Sequence, residues 1–265
     1  SRDFQIQTAS SFCTFLSNVS RFNETILLWN SLEFGLVEIA DAFASTSTIM
    51  PQKKNPVALE TIRADSMIAS SILGSMFGII NHITLGNGRG PGYLDHCFCE
   101  ISDRAIGISE MMPDLIKGLK INKEKMVLGA AQGYSTVTEL ADTIVREKGL
   151  SFRTSHKIVG KVTSKAIKKG LHANEITSDL LDEVSKEVIG RPLRLDRSLL
   201  KRALDPEENV AIRERQGGPA PKEVERAILK NGKILKNMEK EFDEIEAKLS
   251  KAEAQLGKRV SEFTS

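Results

Sequence analysis

The sequence predicts an all-α protein built mainly from long packed helices. Apolar residues recur at three- and four-residue spacings over residues 3–30, an uncharged run covers residues 66–81, and apolar residues recur every seven positions over residues 228–256. Aromatic residues make up 5% of the chain, which suits aliphatic helix packing better than a β-sandwich. We therefore expect a helical bundle with little sheet, apart from a short strand within residues 35–39.

The first predicted helix covers residues 3–30 and carries one apolar face. The side chains assigned to that face are Phe4, Phe12, Phe15, Leu16, Val19, Phe22, Ile26 and Leu27. The loop that follows ends in the stretch TSTIMPQKKNPVALETIR, residues 46–63. Within it, Asn55 is a favourable N-cap and Pro56 a favourable first helical residue, so a second helix should begin here.

The positive end of this second helix should face Ser47, Thr48 and Lys53, which makes the stretch a natural anion site. The uncharged run 66–81 continues the helix. Because the run is shorter than a membrane span needs, it favours the centre of a bundle over a membrane. Gly74 and Gly78 would allow another helix backbone to approach closely.

A Gly/Pro loop at residues 85–93 should precede a third long helix at residues 94–118, which Pro113 kinks or ends. Shorter helices are predicted next, at 137–148, 152–169 and 178–188, with Gly149, Gly170 and Gly190 as their stops. The tail carries Ile228, Leu235, Phe242, Leu249 and Leu256 in a heptad pattern typical of a coiled-coil-like helix. We expect three parts: residues 1–118 in a helical-bundle domain, 119–220 in a small helical domain, and 221–265 in the heptad-patterned helix.

The charge balance excludes a nucleic-acid-binding field, since 37 basic and 35 acidic residues leave a net charge of +2. Three cysteines and no visible signal peptide favour a reducing cytosol. We expect Cys97 and Cys99 to be small buried residues, because their spacing fits no common zinc site, and we expect no metal or cofactor. The chain opens on Ser1 within a helical pattern, so we expect it to be a fragment.

The stretch STIMPQKKNP resembles the signature loop of the aspartase/fumarase superfamily, GSSxMPxKxNP. Further stretches make the chain similar to the argininosuccinate lyases within it: RDF at 2–4, LLWNSLEFGLVEIADAF at 27–43, TELADTIVREKGLSFRTSHKIVGK at 138–161 and GGPAP at 217–221. The resemblance implies a long-helix bundle of the L-aspartase/fumarase type with a small helical C-terminal domain. It also implies a cytoplasmic homotetramer that shares active sites between subunits and acts on a small molecule in arginine biosynthesis.

The implied reaction is anti β-elimination of argininosuccinate to arginine and fumarate. A proton next to a carboxylate is very weakly acidic, so the site must hold a base and stabilise a dianionic carboxylate. By position in the motif, Ser47 resembles the general base, Lys53 the source of cationic charge, and Glu60 the glutamate that orients a catalytic histidine. The substrate-binding residues that the resemblance implies are Thr48, Gln52, Asn55 and Asn87.

Taken singly, lysines before a helix are usually solvated, and Ser, Thr and Asn there are usually caps; the ten-residue match outweighs that interpretation. The chain departs from the family at Thr46, where the motif has glycine, and over residues 86–96, where Asn87, Gly92 and Asp95 replace expected substrate contacts. Two alternatives stay open: another fumarate-releasing lyase, such as an adenylosuccinate lyase-like enzyme, and a non-catalytic crystallin-like helical oligomer. No histidine here has the family's threonine-histidine context, so this chain alone should be inactive.

Overall fold

The computed structural model describes residues 2–46, 49–50, 53–81 and 90–264. These residues form ten α-helices and four two-residue β-strands, so the all-α prediction is confirmed. The chain divides into two compact units, residues 1–126 and residues 127–265. The finer division into parts 1–118, 119–220 and 221–265 stays a prediction.

Three long helices form the first unit: α1 (Asp3–Asn30), α2 (Val57–Asn81) and α3 (Gly90–Lys117). Each of the three contacts the other two. Their largest fully buried side chains are Leu16, Leu59, Ile62, Met76, Leu94, Ile101 and Leu115. Closely packed aliphatic side chains of this kind supply most of the stability of a helical bundle.

The predicted first helix is confirmed by α1, and much of its predicted face packs into the core, including Leu16 and Ile26, while three phenylalanines assigned to that face are exposed. Ile6, Ala9 and Cys13 are buried, whereas Phe4 and Phe22 are 61% and 43% exposed. Large aromatic residues therefore follow a second, exposed side of α1. Periodicity alone could not separate the two sides, because both repeat at helical spacing.

The second and third helices need three corrections. The uncharged run on α2 is buried on one side only, and Met67 remains 67% exposed within this chain. No heavy atom among the described residues lies within 4 Å of a Cβ placed on Gly74 or Gly78, so no described helix makes the close approach that these glycines allow. α3 begins at Gly90 instead of residue 94 and continues through Pro113 to Lys117.

Four short strands form two antiparallel pairs beside this bundle. β1 (Val37–Glu38), within the predicted strand region, pairs with β4 (Lys120–Ile121). β2 (Ser45–Thr46) pairs with β3 (Lys54–Asn55). The second pair brings together the chain on the two sides of the signature loop.

The second unit consists of several shorter helices and one long C-terminal helix. After α4 (Lys123–Gln132), they are α5 (Val137–Lys148), α6 (Phe152–Lys168), α7 (Ser178–Ile189), α8 (Arg197–Leu204), α9 (Pro206–Ala211) and α10 (Pro221–Thr264). Sequence periodicity predicted α5, α6, α7 and the tail helix and missed α4, α8 and α9, which are too short for a clear period.

Two of the predicted glycine stops are helix caps with left-handed backbone. Gly149 and Gly190 have φ of 64° and 75° and end α5 and α7. Gly170 also has a positive φ, of 68°, and lies two residues beyond the end of α6. Glycine adopts this conformation without the Cβ penalty that other residues incur.

None of the helices in the described part of the chain is long and apolar enough to cross a membrane.

Candidate active site

The signature loop leaves the bundle through a short antiparallel stem. Ser45 pairs with Asn55 and Thr46 with Lys54. Inside the stem, the backbone N–H of Lys53 donates a hydrogen bond to the carbonyl of Met50, with N and O 3.0 Å apart. Of the predicted site residues, Ser47, Thr48, Gln52 and Asn87 lie outside the described residues, while Lys53, Asn55 and Glu60 lie within them.

The start of α2 differs by one residue from the prediction. The first helical hydrogen bond runs from the N–H of Glu60 to the carbonyl of Pro56, at 3.1 Å, so Pro56 occupies the cap position and Val57 begins the helix. Asn55 is therefore not the N-cap. Its backbone is held extended by the pairing with Ser45, which leaves it at the junction of stem and helix.

The two adjacent lysines of the motif have different surroundings. The Nζ of Lys54 lies 2.9 Å from Glu38 Oε1 and 2.5 Å from Asp41 Oδ1. Lys53 is exposed, and no ion pair joins it to any residue that the structure describes. Lys54 is thus already neutralised by two carboxylates, and Lys53 keeps its charge for another anion.

The ion pairs around Lys54 also change the pKa values of the groups involved. The hydrogen bond from Lys54 lowers the pKa of Glu38, aided by the charge of Lys120, and lowers the pKa of Asp41. The hydrogen bonds to Asp41 and Glu38 raise the pKa of Lys54. These ion pairs join the loop stem to the segment that carries β1.

A buried asparagine, which the sequence did not single out, supports the other end of the site. Asn23 on α1 is fully buried, and its side-chain N–H donates to the carbonyl of Leu59 at 2.8 Å. Leu59 lies in the first turn of α2, next to Glu60, whose side chain is exposed. This hydrogen bond fixes the start of α2 against α1 and so helps to set the direction in which Glu60 leaves the helix.

Asp95 lies near the end of the segment that departs from the family pattern, and side chains near the start of the chain bind it. Asp95 accepts hydrogen bonds from Arg2 and from Gln5. The Gln5 bond measures 2.5 Å, and Gln5 itself is buried. At this position the chain therefore offers a carboxylate that is already paired, where a substrate-contacting lysine was expected.

The cysteines and histidines that the structure describes form no metal site. Within residues 2–46, 49–50, 53–81 and 90–264, no group of three or more His, Cys, Asp or Glu side chains is placed to hold a metal ion. The expectation that Cys97 and Cys99 are buried is wrong for Cys99, which is exposed, while Cys97 is half-buried. Cys13 is the buried cysteine, and burial raises the pKa of its thiol.

The second unit contains a separate cavity of about 810 Å³. Glu139, 4% exposed, lies in its wall, and it pairs with Arg146 and, at 3.7 Å, with Arg213. Arg202 and Glu208, also in the wall, pair with each other at 3.3 Å. Since these opposite charges satisfy one another, we interpret the cavity as a structural ion-pair cluster and not as a reaction centre.

Comparison with protein families gives two matches along the chain. Residues 1–74 match the family described as lyase, and this region contains the whole signature stretch, residues 46–63. Residues 134–211 match the family described as argininosuccinate lyase C-terminal.

The curated relatives agree with both matches. The argininosuccinate lyase of Methanothermobacter thermautotrophicus is 39% identical over 227 residues, which cover 86% of this chain and 48% of the relative. That of Methanocaldococcus jannaschii is 38% identical over 250 residues, covering 94% of this chain and 50% of the relative.

The chain is thus similar to argininosuccinate lyases over most of its own length. It spans about half the length of the curated relatives that it matches.

Solved structures of lyases and of a related enzyme are similar to the fold of this chain. An EDDS lyase variant with bound fumarate is 34% identical, with a TM-score of 0.76 over 89% of this chain and 47% of that one. The 3-carboxy-cis,cis-muconate lactonizing enzyme from Pseudomonas putida is 19% identical, with a TM-score of 0.58 over 79% of this chain and 45% of that one, and shows the fold alone.

Proposed function

We propose that this chain contributes the signature-loop part of an argininosuccinate lyase. The proposed reaction is anti β-elimination of argininosuccinate to arginine and fumarate. One observation carries it: the signature stretch lies within the matched residues 1–74, and its Lys53 keeps an uncompensated charge beside the N-terminus of α2. Retention of these residues favours catalysis over a purely structural, crystallin-like role.

In the proposed mechanism Ser47 removes the proton from the carbon next to the substrate carboxylate. The released electron pair forms the carbon–carbon double bond of fumarate, and the carbon–nitrogen bond breaks. The leaving nitrogen takes a proton from an acid group outside this chain. A serine hydroxyl ionises weakly, so Ser47 needs nearby positive charge and a site from which water is excluded.

Lys53 would supply that positive charge. It would bind the substrate carboxylate and stabilise it further when it becomes dianionic in the transition state. Asn55 would donate a hydrogen bond to a substrate carboxylate, with Thr48, Gln52 and Asn87 as further contacts. Glu60, one turn into α2, would orient the histidine partner.

The experiment that tests this proposal uses the full-length protein with argininosuccinate and follows fumarate absorbance. The expected result is fumarate release that Ser47→Ala abolishes or strongly reduces. Thr61→Ala, a change at an exposed residue next to Glu60, should leave the rate near the wild-type value. Absence of fumarate release from a folded full-length protein would contradict the assignment.

A second candidate is another fumarate-releasing lyase of the same superfamily. Two observations favour it: the 34% identity to an EDDS lyase variant, and the paired Asp95 in the segment where the chain departs from the family pattern. The same assay with EDDS and with adenylosuccinate separates these substrates. A kcat/KM for either that exceeds the value for argininosuccinate would replace the first candidate.

The oligomer that we propose is a homotetramer in which subunits share active sites, located in the cytoplasm. Exposed apolar side chains on α1 and α2, including Phe4, Phe22, Met67 and Phe77, support association through the long helices. Light scattering should show a stable oligomer at micromolar concentration. A monomer under those conditions would contradict the shared-site arrangement.

A further inference from the structure

The last helix, α10, presents an apolar stripe that nothing in the described part of the chain covers. Every residue from 228 to 263 is exposed. Ile228, Leu235, Met238, Phe242 and Leu249 are each 57–65% exposed. A helix of this length extends about 66 Å, and helices in proteins depend on packing of an apolar face for most of their stability.

The stripe has the geometry of a coiled-coil seam. With Ile228 at heptad position a, every later a position through residue 263 is apolar: Leu235, Phe242, Leu249, Leu256 and Phe263. The d positions include Val224, Met238, Ile245 and Ala252, interrupted by Asn231 and Arg259. A strict seven-residue repeat matches a partner helix better than a flat surface.

We propose that α10 pairs with α10 of a second copy of this chain in a parallel coiled coil. The seam is large enough: if about eight side chains lose roughly 100 Å² each, the pair buries about 1,600 Å², which is the size of a standard stable interface. This contact is additional to the association of long helices proposed above and does not depend on the catalytic assignment.

The charges beside the seam balance in either direction of pairing. In an antiparallel pair, e positions face each other and g positions face each other, so Glu239 meets Glu246 along one edge while Glu241 meets Lys248 along the other. In a parallel pair the g positions face the e positions of the partner. Lys248 then meets Glu253 of the other copy, although Glu241 meets Glu246.

The polar residues within the seam favour the parallel direction. In a parallel pair in register, Asn231 faces Asn231, so the two amides can hydrogen-bond to each other. Arg259 faces Arg259 near the C-terminal end of the helix, where the long side chains can extend into solvent. In the antiparallel register that aligns the seams, Asn231 would face Leu256 and Arg259 would face Ile228. Unpaired polar groups against apolar side chains are unfavourable.

A membrane surface is a less favourable occupant of the stripe. Acidic and basic residues are nearly balanced along α10. Helices that lie on anionic membranes carry an excess of Lys and Arg on the polar face.

Two alanines allow a matched cross-linking test in the full-length protein. Ala252 lies at position d in the seam, and Ala247 lies at position f on the opposite face; both are exposed in the single chain. In a Cys97→Ser, Cys99→Ser background, mild oxidation should couple Ala252→Cys chains at least ~10-fold faster than Ala247→Cys chains, because only a seam position brings the two Cβ atoms within disulfide distance. Equal rates would overturn the proposal.

The direction of the pair is tested by mixing Leu235→Cys chains with Ala252→Cys chains. The parallel pair predicts that each variant couples mainly to itself. Preferential coupling between the two variants would show an antiparallel pair and overturn the parallel assignment.

Limited tryptic digestion distinguishes self-pairing from a cover supplied by another part of the protein. Cleavage of the lysine-rich tail should slow with rising protein concentration in the wild type and in Ala247→Glu, and should stay fast in Ala252→Glu. If the tail of Ala252→Cys chains resists trypsin but the chains do not couple to each other, another surface covers the stripe. This result would also overturn the proposal.

Discussion

The two adjacent lysines of the signature loop give the most discriminating prediction. The structure holds Lys54 between Glu38 and Asp41 and leaves Lys53 exposed without an ion pair among the described residues. Substituting each by Met in the full-length protein removes the charge and preserves most of the side-chain shape. We expect Lys53→Met to impair catalysis strongly and Lys54→Met to impair it little.

The size of the Lys53 effect follows from its exposure. At a contact distance of ~4 Å and an effective dielectric constant of ~40, intermediate between protein and water, one charge pair contributes about 2 kcal/mol, or roughly 30-fold. The bound substrate carboxylate carries one negative charge and its dianionic successor two. Lys53→Met should therefore raise KM and lower kcat by about 30-fold each, for a loss in kcat/KM of about 1,000-fold.

Lys54→Met provides the control within the same motif. Exposed ion pairs contribute little to stability, so kcat/KM should stay within about fivefold of the wild type. Steady-state fumarate release at several argininosuccinate concentrations measures both variants, and circular dichroism confirms that both are folded. A severe loss in Lys54→Met with near-normal kinetics in Lys53→Met would reverse the assignment of the two lysines.

Four further predictions concern the base, the isolated chain, the core and the start of α10. Ser47→Ala should lower turnover by ~100-fold or more while substrate affinity stays within several-fold, since a base acts chiefly in the transition state; wild-type kinetics would remove the base assignment. The 265-residue chain alone should release no measurable fumarate, whereas the full-length protein should; a rate near that of the full-length protein would mean that the acid group lies in this chain. Ile62→Ala, at a fully buried site, should lower the free energy of unfolding by about 2–5 kcal/mol in urea titrations, and an effect as small as that of the exposed control Thr61→Ala would contradict the packing of α2. Hydrogen bonds from Arg226 lower the pKa of Glu223 from 4.5 to about 2, so its stabilising contribution should be present above pH 4.5 and lost as pH falls toward 2; Glu223→Gln should remove this part of the pH dependence of unfolding, and an unchanged profile would refute it.

Much of the fold follows from local sequence signals. The spacing of apolar residues and the glycine stops predicted the first and last residues of α1, α5, α6 and α7 to within one residue. Both signals are local, since each depends on residues within a turn or two of the helix. The signature stretch likewise identified the loop and its lysines without any structure. The match to the lyase family model includes this stretch.

Other features depended on contacts between residues distant in sequence. The sequence does not indicate which of Lys53 and Lys54 has its charge paired. Folding brings the carboxylates of Glu38 and Asp41 next to Lys54, so the two lysines differ in their ion pairs. The sequence predicted Asn55 as a helix cap, but in the structure Asn55 pairs with Ser45 in a short strand before the helix.

Periodicity fixed which residues of α1 and α10 share a face, because that is a property of one helix. It could not decide which face is buried, since burial depends on whether another helix lies opposite. On α1 the described structure covers the side that carries Ile6 and Ala9 and leaves Phe4 exposed, and on α10 the stripe from Ile228 to Phe263 stays exposed. The sequence by itself therefore determined most of the helices and predicted the chemistry of the loop, and the tertiary structure decided which charges and which apolar faces remain available for a substrate or a second subunit.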